Sequence, residues 1–215
     1  MSVSTAQIIA SSLLIYPEKE FMAKRVELES LAKKLDPEWG EPLLEFLDAT
    51  FTMTLDELQR HYVEIFDMRR RCSLFLTSWT HGDTRNRGMA LIYFKEKYKD
   101  AGIILSAEEL PDHLAVVLEF AALVDPVEGN LLLAEHRAPI ELIRDALRSA
   151  NSLYAHVLDA IVATLPPMTA EIEERARALA QNGPPVEFVG LSGALTIALE
   201  PYSAVPALSG TGADR

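Results

Sequence analysis

Apolar residues recur every three or four positions along most of the first 181 residues, which is the spacing of one face of an α-helix. Prolines and capping motifs separate these stretches. Asp36 precedes Pro37, and Thr54 stands three residues before Glu57 in a capping box. No paired strand pattern and no internal repeat is evident. The pattern therefore predicts an all-α fold, built as a single helical bundle.

The character of the chain changes near residue 182. A polar helix predicted to end at Gln181 is followed by Asn182 and Gly183, which together form a common helix stop. Residues 184–215 contain four prolines and four glycines but few charges. We predict a helical domain over residues 1–182 and a loosely ordered Pro/Gly-rich tail over residues 183–215.

The composition excludes several classes of protein. The chain has 32 acidic and 20 basic residues, a formal charge of −12, whereas nucleic-acid binding requires a basic face. Cys72 is the single cysteine, so a disulfide within the chain and a multi-cysteine zinc site are excluded. No apolar run approaches the ~20 residues that span a bilayer, and the N-terminus lacks a basic signal region. We expect a cytoplasmic protein with no nucleic-acid partner and no direct membrane insertion.

Residues 67–91 form a basic segment in this acidic chain. Five arginines outnumber two acids, a local charge of about +3. The arginines are Arg69, Arg70, Arg71, Arg85 and Arg87, and the acids are Asp67 and Asp83. We predict a long loop without regular structure over residues 67–81, followed by a helix that Asp83 caps. The second half of the loop has apolar residues that can pin it to the core: Leu74, Phe75, Leu76 and Trp79.

Arg85 and Arg87 fall in the first turn of that predicted helix, where positive charge opposes the helix dipole. They require a nearby negative charge. An acid from a neighbouring helix, Glu119 or Asp112, is the favoured candidate, and a bound anion such as phosphate is the alternative.

The segment from Asp100 to Glu135 has no Lys or Arg. Asp112 and Glu119 are seven residues apart in a helix predicted to begin at Pro111, so we expect them to share one helix face. Glu119 lies between two apolar residues. A carboxylate there either pairs internally or lines a groove.

The sequence has no motif typical of catalysis. Its histidines and cysteine show no metal-ligand spacing, and it has neither a glycine-rich phosphate loop nor a nucleophile elbow. We therefore predict no catalytic, metal-binding or cofactor-binding residues and no enzymatic activity.

Five segments resemble a known family. They are YVEIFD (residues 62–67), LFLT (74–77), GDTRNRG (82–88), ELPDHL (109–114) and LEFA (118–121). Their order and spacing resemble the NarJ-type nitrate reductase assembly chaperones (delta subunits), which belong with TorD and DmsD to the redox-enzyme maturation chaperones. The resemblance covers about residues 5 to 165 and does not extend to the tail.

The resemblance implies a cytoplasmic, all-helical chaperone of the TorD/NarJ type. Such a chaperone binds the N-terminal peptide of the apo catalytic (alpha) subunit of respiratory nitrate reductase. It also supports insertion of the molybdenum cofactor and delays docking on the membrane subunit.

We predict that the partner peptide binds as an amphipathic helix, with apolar residues in a groove and basic residues at an acidic rim. The predicted contact residues are Tyr62, Phe66, Asp83, Arg85, Asp112, His113, Leu114 and Glu119. Two alternatives remain open. One is a nucleotide- or cofactor-handling protein that uses the arginines at 69–71 and Arg85, and the other is a general helical adaptor.

Overall fold

The structure is a computed structural model, and it describes residues 2–82, 84–106 and 110–183. Over these ranges the chain forms eleven α-helices, which confirms the all-α prediction, and β structure is limited to one isolated bridge, Phe75 to His113. None of the helices in these ranges is long and apolar enough to cross a bilayer. The helices are α1 (Val3–Leu14), α2 (Lys19–Ala32), α3 (Pro37–Ala49), α4 (Leu55–Tyr62), α5 (Leu76–His81), α6 (Arg85–Asp100), α7 (Leu114–Leu123), α8 (Pro126–Glu135), α9 (Arg137–Ser149), α10 (Tyr154–Thr164) and α11 (Ala170–Asn182).

Two sequence predictions fall outside the described residues. They are the capping role of Asp83 and the tail beyond Gly183.

Capping interactions begin helices where the sequence predicts them. Thr54 Oγ1 accepts a hydrogen bond from the backbone N–H of Glu57 at 3.3 Å. Glu57 Oε2 accepts one from the backbone N–H of Thr54 at 2.8 Å. These reciprocal bonds confirm the capping box of α4. Thr169 caps α11 in the same way, by accepting from the backbone N–H of Ile172.

Helix α7 packs against α1 and α8. Leu114, Val117 and Leu118 are fully buried. Ser11 of α1 donates a hydrogen bond to the carbonyl of Ala115 at 2.8 Å, which satisfies a buried hydroxyl. Six of the ten residues of α7 are buried, so the helix is enclosed on most sides.

The start of α7 differs from the prediction. The sequence places it at Pro111, but the helix begins at Leu114. The backbone just before it is hydrogen-bonded to another segment: the Asp112 carbonyl accepts from the Leu76 N–H at 3.0 Å, and the Leu114 N–H donates to the Leu74 carbonyl at 2.9 Å. These long-range bonds hold residues 111 and 112 in a turn outside the helix.

Residues 67–81 are not the irregular loop that the sequence predicts. A π-helical segment (Val63–Asp67) extends α4, a 3-10 turn covers Arg70–Cys72, and α5 follows. The 3-10 turn packs on α9, and α5 packs on α6 and α9. Three of the four apolar residues predicted to pin this segment are buried: Leu74, Leu76 and Trp79. Their burial stabilises elements that are too short to be stable alone.

Gly129 allows α8 to approach α7 closely, and this contact can be tested. A Cβ at position 129 would lie 2.3 Å from the Cα of Ala121. Gly129→Ala should therefore lower the free energy of unfolding by about 2 kcal/mol, as overpacked cores do, when measured by urea denaturation. Gly88 is the matched control, because open space surrounds it in α6. Gly88→Ala should raise stability by about 0.5–1 kcal/mol, and equal effects at both positions would contradict the packing argument.

Candidate functional site

Three separated segments meet at the carboxylate of Asp112. Its Oδ2 accepts hydrogen bonds from Thr77 Oγ1 at 2.5 Å and from the Thr77 backbone N–H at 3.2 Å. Arg87 Nη2 lies 3.7 Å from the same oxygen, and Arg87 Nε donates to Thr77 Oγ1 at 3.1 Å. The Asp112 side chain is 0% exposed and that of Arg87 is 20% exposed. Asp112 is therefore the internal partner that the sequence predicts for Arg87.

Phe75 joins this cluster to the start of α7. Its ring packs edge-on against the ring of His113, with 5.2 Å between centroids. Arg87 Cζ lies 5.4 Å from the Phe75 centroid, in cation–π geometry. The beginnings of α5, α6 and α7 are thus held together by side chains as well as by backbone hydrogen bonds.

A groove of about 490 Å³ opens beside this cluster, and we call it the Phe75 groove. It combines apolar, hydroxyl and charged groups of both signs. Its lining residues are Phe66, Asp67, Met68, Arg70, Ser73, Phe75, Ser78, Gly82 and Arg87. A second depression of about 610 Å³, the Met68 depression, shares Met68 with it. Its other lining residues are Tyr16, Asp56, Gln59, Arg60, Val63 and Glu64.

Three of the predicted contact residues are buried behind this surface. Tyr62 donates its hydroxyl to the carbonyl of Leu14 at 3.2 Å, and burial raises the pKa of Tyr62 to about 12. Leu114 is fully buried in the core, and Asp112 is enclosed as described above. Phe66 is also largely buried, but it lines the Phe75 groove. Tyr62, Leu114 and Asp112 therefore position other residues and do not form the surface.

His113 caps α7. Its Nδ1 accepts a hydrogen bond from the backbone N–H of Ala115 at 3.3 Å, which assigns the proton to Nε2. Burial lowers the pKa of His113, and the nearby charge of Asp112 offsets only part of this effect. The neutral imidazole is the form that can cap the helix.

Glu119 does not share a face with Asp112, so that prediction is wrong. Asp112 lies in the turn before α7, where the seven-residue helical spacing does not apply, and Glu119 is exposed. Glu119 instead lines a groove of about 270 Å³, which we call the Glu119 groove. The other residues of this groove are apolar or aromatic: Tyr98, Ile103, Ile104, Leu105, Val116, Phe120, Leu123 and Val124.

The five arginines of the basic segment do not form one surface. Arg85 is exposed at the first position of α6, and Arg70 and Arg87 line the Phe75 groove. Arg69 and Arg71 lie with Arg70 along a further groove beside Trp79. Over the described ranges, no group of three or more His, Cys, Asp or Glu side chains is arranged to bind a metal.

Phe75, Thr77 and Met68 belong to the site, although the sequence pattern did not indicate them as contact residues. Phe75 was assigned only to the core, and Thr77 carried no signal of its own. Both lie in the LFLT segment, so that segment was the available clue.

Sequence comparisons relate the chain to a known protein family. A sequence model of the family described as "Nitrate reductase delta subunit" matches residues 32–160, more than half of the chain. The nitrate reductase-like protein NarX of Mycobacterium tuberculosis (strain H37Rv) is 39% identical over 72% of this chain, which covers 23% of NarX. The chain therefore spans about a quarter of the length of that relative.

Two shorter relatives match over most of their length. The nitrate reductase molybdenum cofactor assembly chaperone NarJ of Escherichia coli (strain K12) is 33% identical over 72% of this chain and 67% of NarJ. A protein of Bacillus subtilis (strain 168) named as the probable counterpart is 28% identical over 72% of this chain and 85% of its own length.

Removal of the Asp112 carboxylate should destabilise the fold. Asp112→Ala takes the negative charge away from Arg87 and an acceptor away from Thr77. It should lower the free energy of unfolding by about 3 kcal/mol in urea denaturation. Glu119→Gln is the control, since an exposed substitution should change stability by no more than about 0.5 kcal/mol. A large cost for Glu119→Gln and a small one for Asp112→Ala would contradict this assignment.

The cap at His113 should make stability depend on pH. The pKa of His113 is lowered from 6.5 in the folded state, so the unfolded state binds a proton more readily. The contribution of the His113 cap to the free energy of unfolding should be fully present above pH 6.5 and fall as the pH drops below that value. His113→Asn keeps a capping acceptor but removes the titrating imidazole. The loss of stability measured by denaturation between about pH 7 and pH 5 should therefore be smaller in this variant. An unchanged pH profile would show that His113 does not contribute.

Proposed function

Because the chain belongs to the nitrate reductase delta subunit family, we propose that it is an assembly chaperone for the catalytic subunit of a nitrate reductase. The names of the E. coli and B. subtilis relatives, as molybdenum cofactor assembly chaperones, support this function. In this proposal the protein acts in the cytoplasm, binds the N-terminal peptide of the apo catalytic (alpha) subunit and catalyses no reaction. Its binding keeps the subunit ready for the molybdenum cofactor and delays docking on the membrane.

The observation that carries the peptide-binding proposal is the continuous surface formed by the Phe75 groove and the Met68 depression. Met68 is shared by both and its side chain is 75% exposed. Tyr16 and Val63 are also exposed in the Met68 depression, and a contiguous apolar patch rimmed by polar residues marks an interaction site. Segments 62–67, 74–77 and 82–88 all contribute lining residues to this surface.

The chemistry of this surface fits an amphipathic helix with basic residues. Apolar contact is available from Tyr16, Val63, Met68 and Phe75. Carboxylates lie along the same path at Asp56, Glu64 and Asp67, together with the guanidinium groups of Arg60, Arg70 and Arg87. A helix that places apolar residues in such a groove presents its flanking Lys or Arg residues to these acids.

The predicted contact residues take different roles in this proposal. Phe66 contacts the peptide, and His113 supports Phe75 beneath it. Asp83 and Arg85 are proposed as further contacts because they precede Arg87 in the chain. Tyr62, Leu114 and Asp112 position the surface from inside.

The contact between Arg87 and Asp112 should also limit the entropic cost of peptide binding. Arg87 is already held by Thr77 and Asp112 and lies over Phe75. A side chain held in place before binding loses less conformational entropy when the peptide arrives. The Phe75 groove is therefore preorganised on the Arg87 side.

Glu119 is proposed as a peptide contact in an alternative location, the Glu119 groove. The Glu119 groove also offers apolar walls and one carboxylate. The two grooves share no lining residue, so variants can distinguish which of them holds the peptide.

Peptide affinity tests the proposal directly. Met68→Ser and Asp67→Lys should each weaken binding of the catalytic subunit's N-terminal peptide roughly tenfold, measured by titration calorimetry. The apolar contact is lost in the first variant, and the charge is reversed in the second. Met89→Ser on α6 and Glu27→Lys on α2 are the controls, since both residues are exposed outside this surface.

The other outcomes of this titration are also informative. Loss of affinity in Glu119→Lys, with Met68→Ser unaffected, would place the peptide in the Glu119 groove instead. Equal binding of a scrambled peptide of the same composition would indicate a general helical adaptor. No binding of either peptide would overturn the chaperone mechanism proposed here.

A further inference from the structure

A groove of about 450 Å³ lies on the other side of the 3-10 turn, and we call it the Trp79 groove. Four elements surround it: the 3-10 turn, α5, α9 and α11. Its lining residues are Arg69, Arg70, Arg71, Cys72, Trp79, Leu142, Asp145, Ala146, Ser149, Ala150 and Ala180. Its volume is within the range of small-molecule sites.

The indole of Trp79 leaves a hydrogen-bond donor unused in the wall of this groove. Trp79 is only 4% exposed, and its Nε1 has no hydrogen-bond partner among the described residues. Buried donors of this kind are nearly always paired in native proteins, because an unpaired one loses its interaction with water. The unpaired N–H therefore indicates that an acceptor outside the described residues completes the site.

The charge of the groove indicates the nature of that acceptor. Three consecutive arginines face one lining acid, Asp145. Arg69 also reaches Glu64 at 3.3 Å, whereas Arg71 makes no ion pair or hydrogen bond within the described ranges. The guanidinium group binds phosphate oxygens in a planar, two-point arrangement. Among the lining residues of the groove, arginines therefore outnumber acids by three to one.

We propose that the Trp79 groove binds a small molecule that has both a phosphate or diphosphate group and a flat or apolar part. Arg71 and its neighbours bind the phosphate oxygens, and Trp79 Nε1 donates to an acceptor on the ligand. Leu142, Ala146 and Ala180 provide an apolar floor for the flat part. This site is additional to the proposed peptide surface and does not depend on it.

A phosphate alone does not account for the groove. Small apolar residues from α9 and α11 form much of its wall, and a free phosphate has nothing to place against them. Asp145 would also repel a simple anion, but it can accept a hydrogen bond from a ligand hydroxyl. Both features favour an organic phosphate.

The two tryptophans of the chain make this proposal testable by NMR of the full-length protein. Trp39 Nε1 donates to the carbonyl of Ala163 at 3.2 Å, so its indole N–H signal serves as an internal reference. ADP, used as a probe with a diphosphate and a flat ring, should shift the Trp79 indole signal and leave that of Trp39 unchanged. Pyrophosphate should bind more weakly than ADP and compete with it, and adenosine alone should bind more weakly than either.

Matched variants decide whether the groove causes that shift. Arg71→Gln should weaken ADP binding at least tenfold, whereas Lys34→Gln, an equal charge change in the exposed turn after α2, should not. Trp79→Phe keeps an aromatic ring but removes the N–H, so it should also weaken ADP binding, measured by titration calorimetry because the Trp79 signal is lost. The Trp39 signal then reports that the fold is intact. If Trp79→Phe does not fold, Arg71→Gln still provides the test.

Several results would overturn the proposal. One is an unchanged Trp79 signal at millimolar ADP and pyrophosphate, which would mean that neither probe binds beside the indole. Equal ADP affinity in Arg71→Gln and in the unaltered protein would show an adventitious ion effect only. Adenosine binding as well as ADP would exclude the role assigned to the arginines.

Discussion

The buried carboxylate of Asp112 is the interaction on which the geometry of the site depends. A carboxylate that is completely removed from water is costly unless charge and hydrogen bonds compensate it. Thr77 and Arg87 supply that compensation to Oδ2 from α5 and α6, whereas Oδ1 has no hydrogen-bond partner among the described residues. Asp112, Thr77 and Arg87 come from three segments, and the carboxylate is compensated only when all three lie together. This interaction therefore fixes the beginnings of α5, α6 and α7 relative to one another. The apolar core alone would not specify these positions so narrowly.

Two of the surface grooves follow from this arrangement. Helix α5 has only six residues, yet it contributes Ser78 to the Phe75 groove and Trp79 to the Trp79 groove. Arg70, in the preceding 3-10 turn, lines both. The turn and the short helix thus separate a peptide-sized surface from a pocket of small-molecule size. Their apolar side chains anchor them in the core, so the charged side chains can point outward.

The sequence predicted the helices and several of their ends, because capping depends on residues only three positions apart, such as Thr54 and Glu57. It also named Asp112 among the two candidate partners of Arg87, because a cation in the first turn of a helix needs an acid. It could not choose between Asp112 and Glu119. Their spacing suggested a common helix face, but backbone bonds from Leu74 and Leu76 keep Asp112 out of the helix.

By itself, therefore, the sequence determined the all-α class, the segregation of basic and acidic segments and the resemblance to a chaperone family. These properties are encoded locally, in spacing, capping and charge. Only the tertiary structure decided which arginine meets which acid and that Glu119 lies in a groove of its own. It also decided that residues 70–81 contain a 3-10 turn and α5. Each of these depends on contacts between positions far apart in the chain, such as Thr77 and Asp112, and local patterns do not determine such contacts.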